Sequence, residues 1–357
     1  MQGKLLRILL PALLLFTAAT TVSPPLILAQ APASTNSMAT DRERGLRLLD
    51  NGQTKEAIDM LRAAVKQDKT DEQAWCYLGV ALLRTDEIKA ARKSFETALK
   101  LNSQIAMAHT GLAYALAAMT KDNEAAREAN AALQLKQIDP VAHYILGLVK
   151  MRALKNQQAI TEAETAIAQD PNYAPAYLLK SQILLALQGD ESIDAGRILQ
   201  VPGSSDPEKQ AERARETQNR FRNAVGALET YLKLAPRDNQ TQLWAEQLET
   251  LKVFARVPNR PDIVSAREVT TKARVLAKPE PTYTTKARNA GIIGTVVLRA
   301  VFTAEGKVEH ILVLRALPGG LTEQAAAAAR KITFVPATKD GKPVSMFMQL
   351  EYNFNLY

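Results

Sequence analysis

Two rhythms of apolar residues divide the chain. Between residues 38 and 253 the apolar positions fall at helical spacing, and the pattern returns every 34 residues. From Gly294 onward the rhythm changes to alternation, the period of a strand. Gly294 to Phe302 (GTVVLRAVF) alternates faces. Gly306 supplies a turn, and Val308 to Leu314 alternates again, with His310 facing the same way as Val308, Leu312 and Leu314. This stretch predicts a β-hairpin. Pro281 and Tyr283 open a short helix carrying Ala287 and Arg288. Leu321, Ala325, Ala328 and Ile332 predict another. Asp340-Gly341 predicts a tight turn. The last strand places Val344, Met346, Met348, Leu350, Tyr352 and Phe354 on one face and Ser345, Phe347, Gln349, Glu351 and Asn353 on the other. The expected protein is multidomain: an all-α superhelix of repeats, then a small α+β domain with an antiparallel sheet.

Five columns carry the 34-residue period. Ala57, Ala91, Ala125 and Ala159 form one; Ala64, Ala98, Ala132 and Ala166 a second; Ala74, Ala108, Ala142 and Ala176 a third. Gly45, Gly79, Ala113, Gly147 and Ser181 are all small, and Trp75, His109, His143 and Tyr177 are all flat rings. Small residues let two helices approach, and the ring fills the gap between them. One such hairpin cannot bury its apolar face alone, so neighbours must stack. This pattern, clearest in residues 74–103, resembles the tetratricopeptide repeat (TPR). The repeats fall at 38–71, 72–105, 106–139 and 140–173. A fifth starts at Ala174. Its next alanine is due at position 193, but the pattern resumes at Ala224, which implies an insertion near 189–220 with a loop-like first part. Residues 239–253 predict a closing helix with Trp244, Leu248 and Leu251 on one face. The repeat region is thus 38–253, and Pro258 and Pro261 mark a linker at 254–265.

The resemblance implies a peptide-binding groove lined by residues that follow the ring column. Here these include Cys76, Val80 and Leu83, then Thr110, Tyr114 and Ala117, then Tyr144, Leu148 and Met151. The track is apolar and aromatic, and it lacks the Lys, Asn and Arg set with which some TPR domains clamp a C-terminal carboxylate. An apolar protein or peptide segment is the expected ligand.

Charge adds a direction. The net charge is +8, and residues from Ser265 onward hold 13 Lys/Arg against 7 Asp/Glu. The basic surplus lies at the C-terminal end and favours acidic partners. No nucleic-acid motif accompanies it, so nucleic acid is not an expected partner. The single Cys76 excludes an intramolecular disulfide and a cysteine-based zinc cluster. Lys4 and Arg7 followed by ILLPALLLFTAA, with Ala29, Ala31 and Ala33 beyond, read as a secretory leader over residues 1–31. The alternative is an inner-membrane anchor through residues 1–29. Either reading places the body in the cell envelope or periplasm.

Catalytic signatures are missing. The chain has no serine elbow, Walker loop, HExxH or paired-carboxylate pattern. His109 and His143 stand where neighbouring repeats have Trp75 and Tyr177, which marks them as packing rings. No metal, cofactor or enzymatic activity is expected.

The C-terminal pattern has a second resemblance. Pro281-x-Tyr283, Ala287-Arg288, Gly294-x-Val296, Gly306-Lys307-Val308, Leu321, Ala325, Phe334-x-Pro336-Ala337 and Gly341-x-Pro343-Val344 together resemble the C-terminal domain of TonB-type energy transducers. With a lead-in strand at 268–278, the domain spans 266–357. The resemblance implies a sheet that takes up an extended segment of an outer-membrane receptor as an added strand. The final strand is the expected edge, with Phe347, Gln349, Glu351 and Asn353 as partner-binding residues. The expected function is an envelope scaffold or adaptor that binds protein partners, with an outer-membrane receptor or the cell wall as candidates. The alternative is a force-delivering transducer for an outer-membrane transporter.

Overall fold

The computed structural model describes residues 40–355 except 199–206, 236–238, 256–262, 265–267, 290 and 318. The leader or anchor expected at 1–31 lies outside the described residues. The described chain divides into two compact units between Val149 and Lys150.

The first unit is a series of helical hairpins. It comprises α1 (Asp41–Asp50) with α2 (Thr54–Gln67), α3 (Glu72–Arg84) with α4 (Ile88–Leu101), and α5 (Ala106–Ala118) with α6 (Asp122–Leu135). Helix α7 (Pro140–Arg152) begins at its end. The alanine columns are buried throughout, as the close approach of helices demands. Phe95 of α4 is fully buried between two glycines. A Cβ on Gly79 of α3 would lie 2.7 Å from its ring, and one on Gly111 of α5 2.2 Å. The ring therefore holds its own repeat and the next together.

The period also appears in the backbone. Gly52, Asp86, Thr120 and Leu154 all have positive φ, at 77°, 65°, 58° and 59°. Each sits in the turn inside a hairpin. Only the first is a glycine, so the other turns hold a conformation that L-residues adopt at a cost of about 1–2 kcal/mol.

The ring column gains a role beyond packing. Trp75 Nε1 donates to the Lys69 carbonyl at 3.0 Å, and Tyr177 OH to the Pro171 carbonyl at 3.1 Å. His109 Nε2 lies 3.1 Å from the Ser103 carbonyl. In each case the partner is six residues earlier, so the polar edge of the ring tethers the loop that enters its repeat. His109 Nδ1 also lies 2.7 Å from Glu128 Oε2.

The second unit holds α8 (Asn156–Gln169), α9 (Ala174–Ile198), α10 (Pro207–Leu234) and α11 (Asn239–Ala255), followed by the α+β domain. The insertion is not loop-like where described: α9 runs on to Ile198 and α10 starts at Pro207. Extending an existing helix adds one bond per residue without a new nucleus, which outweighs the roughly 1 kcal/mol cost of Gly189 and of Gly196. The resumption of the repeat at Ala224 is direct: Ser181 Oγ donates to the Ala224 carbonyl at 3.0 Å, buried between α9 and α10. On α11, Leu248 and Leu251 are buried and Trp244 half-buried.

The main sheet has the order β1 (Ile263–Val264), β7 (Lys342–Phe354), β3 (Gly294–Phe302), β4 (Val308–Arg315). Strands β3, β4 and β7 are antiparallel, whereas β1 joins β7 in parallel. A second ribbon pairs β2 (Arg274–Ala277) with β5 (Thr333–Val335), and β6 (Ala337–Lys339) folds onto the start of β7. The β6–β7 turn is Asp340-Gly341, with φ of 52° and 75°, as a two-residue hairpin turn requires. Helices α12 (Thr285–Asn289) and α13 (Leu321–Ala329) complete the domain.

One sheet face forms a core with α13. Val296, Leu298, Ala300 and Phe302 meet Leu321, Ala325, Met346, Leu350, Tyr352 and Phe354. The expected alternation of β7 therefore holds. That of β4 does not. Between Arg299 and Val301 the β3 strand advances two residues while β4 advances three, from Leu312 to Glu309. This bulge falls at exposed His310, whose φ is 49°. It turns Ile311 to the face of Val308 and leaves Leu312 and Leu314 on the other. His310 therefore does not share a simple alternating face with Val308, Leu312 and Leu314.

The second face is also covered. Val297, Val301, Leu312 and Leu314 are buried, and β4 packs against α9 and α11. At its centre Arg299 lies 5.7, 5.6 and 5.1 Å from the ring centroids of Phe221, Phe254 and Phe347. No carboxylate pairs with it among the described residues. Burial lowers its guanidinium to about 10, and the ring faces supply the attraction in place of an anion.

Candidate functional site: the edge of the last strand

The inner-helix track expected as a groove is built differently from expectation. Cys76, Val80, Leu83, Thr110, Tyr114, Tyr144 and Leu148 are all buried; Met151 alone is half-buried. The reason lies in the helices: α5, from Ala106 to Ala118, is apolar nearly all round, and such a helix is enclosed on all sides. Burial pushes the Cys76 thiol up to about 12, which leaves it protonated and unreactive, and drives the Tyr114 hydroxyl well above its ordinary value.

The first position of this track links repeats. Thr110 Oγ1 donates to Asp139 Oδ2 at 2.5 Å. The other carboxylate oxygen of Asp139 accepts from the Val141 and Ala142 amides at the start of α7. Thirty-four residues per step relate Thr110 to Cys76 and to Arg42, and Arg42 grips the α3 cap Asp71 at 3.0 and 3.1 Å. Arg42 and Thr110 thus each reach the helix cap 29 residues ahead. Thr110→Val keeps the shape but strips a hydrogen bond from a buried carboxylate. It is expected to cost about 1.5–3 kcal/mol, read as a lower denaturation midpoint.

The edge of β7 is the candidate partner-binding feature expected from sequence. On one side residues 346–354 pair continuously with β3. On the other, Lys278 Nζ donates to the Glu351 carbonyl at 2.6 Å, so that carbonyl points away from β3. Antiparallel pairing alternates inward and outward residues. The main-chain groups of Phe347, Gln349 and Asn353 therefore point outward with those of Glu351.

Their side chains differ in surroundings. Phe347 is half-buried and stacks on Phe254 of α11, with centroids 4.9 Å apart, so one side of its ring is taken up by the protein itself. Gln349 is half-buried, with its Nε2 donating to Glu351 Oε1 at 3.1 Å. Glu351 and Asn353 are exposed, and Asn353 Oδ1 accepts from Thr295 Oγ1 at 2.7 Å. Lys278 also lies 4.5 Å from the centroid of the Tyr352 ring, and burial pushes that hydroxyl up to about 12. Sequence reasoning missed Lys278, whose signal was its place in KPEPTY just ahead of the domain, and it missed the Arg299–phenylalanine cluster. Among the described residues no group of His, Cys, Asp or Glu is arranged to hold a metal ion.

An α-helical repeat array joined to a sheet of this kind defines a protein-interaction molecule. The chain carries tetratricopeptide repeats and a TonB-type C-terminal domain. Two tetratricopeptide repeat families match residues 48–109 and 85–143. The family described as Gram-negative bacterial TonB protein C-terminal matches residues 279–356. No curated protein matches the chain significantly. Solved structures similar to it are tetratricopeptide repeat proteins. PilF of Pseudomonas aeruginosa is 21% identical over 60% of this chain and 82% of its own, with a TM-score of 0.42. A thermophilic repeat protein of Thermus thermophilus is 14% identical over 60% of this chain and 97% of its own, at 0.43. MamA of Desulfovibrio magneticus is 21% identical over 46% and 95%, at 0.37. No helix among the described residues is long and apolar enough to cross a membrane.

Proposed function

We propose that the protein is a non-enzymatic adaptor of the Gram-negative envelope, working in the periplasm, that captures an extended segment of a protein partner along the β7 edge. The observation that carries this reading is the outward-facing main chain of Phe347 and Gln349, which has no strand partner among the described residues. Main-chain pairing would supply affinity, and the basic surplus of the domain would draw an acidic partner at low salt. An outer-membrane receptor is the partner class that the TonB-type domain suggests. The repeat array supplies a second protein-binding surface, with the half-buried rim at Met151 rather than Tyr114 or Tyr144 as its reachable part.

Gln349→Pro tests the edge. Proline removes an outward N–H and leaves the β3 ladder in place. A photo-crosslinking residue at Glu351 is expected to give a discrete adduct in intact cells, reduced tenfold or more by Gln349→Pro with the circular dichroism spectrum unchanged. An adduct of equal yield in the variant would show that β7 does not capture a strand.

A further inference from the structure

Strand β1 is foreign to the antiparallel core. Ile263 and Val264 follow α11 and pair in parallel with Ser345 and Met346, on the β7 edge opposite β3. Registered residues of parallel neighbours point the same way, so Ile263 shares the face of Ser345 and Phe347. It is buried there, at 7% exposure. Phe254 stacks on Phe347 on that face, and only residues 255–262 separate Phe254 from Ile263. Further along the edge, Lys278 occupies the Glu351 carbonyl. The main chain at Phe347 and Gln349, which has no strand partner among the described residues, is therefore bracketed by two pieces of the same chain.

We infer that β1 and Lys278 form an internal guard of the β7 edge. The chain's own segment fills the start of the place an incoming strand would take, and capture requires its release. This inference rests on the strand-capture reading above. The guard is built to yield. Among the described residues it pairs through two and buries one aliphatic side chain, whereas a partner strand can pair along the whole of 345–353. The short connection to α11 keeps β1 at high local concentration, so weak pairing suffices to hold it. A guard seated nine-tenths of the time lowers apparent affinity about tenfold. Because Phe254 and Ile263 sit on one face, a partner that displaces β1 also disturbs the last turn of α11. Edge capture is thereby coupled to the helices.

The probe is a fluorescent synthetic peptide with the sequence of residues 259–267, NRPDIVSAR, titrated against the full chain. The native protein, whose edge is filled in cis, is expected to bind it weakly. The variant Ile263→Asp/Val264→Pro, unable to seat its own β1, is expected to bind it at least tenfold more tightly. Adding Gln349→Pro to that variant should not restore the guard but should weaken binding again. Ile263→Ser, which leaves the main chain intact, provides a milder release and should fall between. Equal binding by native and released proteins would overturn the guard while leaving strand capture standing. Failure of every protein to bind would overturn strand capture, and the guard with it.

Discussion

Replacing Phe95 with alanine is expected to cost about 3–5 kcal/mol and to uncouple the second and third repeats. The ring is fully buried and touches glycines on two different helices, Gly79 on α3 and Gly111 on α5. Its removal leaves a cavity that neither glycine has a side chain to fill. In a repeat array stability is carried by neighbour interfaces, so the damage should be local first. Hydrogen exchange should show lost protection in α3, α4 and α5 before α1. The converse change also discriminates. Gly111→Ala places a methyl where the ring stands and should destabilise in the native background, despite alanine's better helix propensity. Combined with Phe95→Ala it should recover part of the loss. Additive effects in this pair would contradict direct contact.

The second large effect is expected at Arg299. Glutamate there puts an anion against the faces of Phe221, Phe254 and Phe347, where the arginine cation is now attracted. A buried charge without a partner costs about 3–5 kcal/mol, enough to separate the sheet from α10 and α11. Methionine should be tolerated to within about 1.5 kcal/mol, since its flexible chain fills the space of the arginine stem without a charge to desolvate. Thermal unfolding monitored at β7 and at α11 checks both. A glutamate variant as stable as the methionine variant would mean that the rings do not hold the cation.

Much of this architecture was legible in the residues. The 34-residue columns located the helix pairs because small residues must recur wherever two helices touch. The alternation of Met346, Met348, Leu350, Tyr352 and Phe354 named the core face of β7 correctly, because nothing interrupts its pairing with β3. The same logic failed in β4. A single extra residue at His310 reverses the sense of alternation, and no glycine marks the spot. The inserted region misled because GDESIDAGRI contains loop-forming residues that the long helix α9 carries through. The covering of the second sheet face had a faint signal. GTVVLRAVF is nearly continuous in apolar residues, as a strand buried on both sides must be, and the notable exception is Arg299.

For the site, sequence gives only the parity of residues along β7 and nothing of what surrounds them. Alternation gives parity, and parity gives Phe347, Gln349, Glu351 and Asn353. It cannot reveal that Phe254 arrives from α11, or that Lys278 and Ile263 arrive from segments remote in sequence. The repeat track failed for a related reason. Spacing placed Tyr114 and Tyr144 on inner helices, but how much of an inner helix stays open depends on the closeness of all its neighbours.

The pairing of β7 with β3 has a mechanical consequence. Their nine registered pairs, from Gly294–Phe354 to Phe302–Met346, run along the strand axis. A partner segment added beside β7 and pulled along its length would load these bonds in shear, all together, rather than unzipping them singly. The load would pass from β7 through Phe347 and Arg299 into α10 and α11. A tug on the partner would therefore be felt in the helices as well as in the sheet.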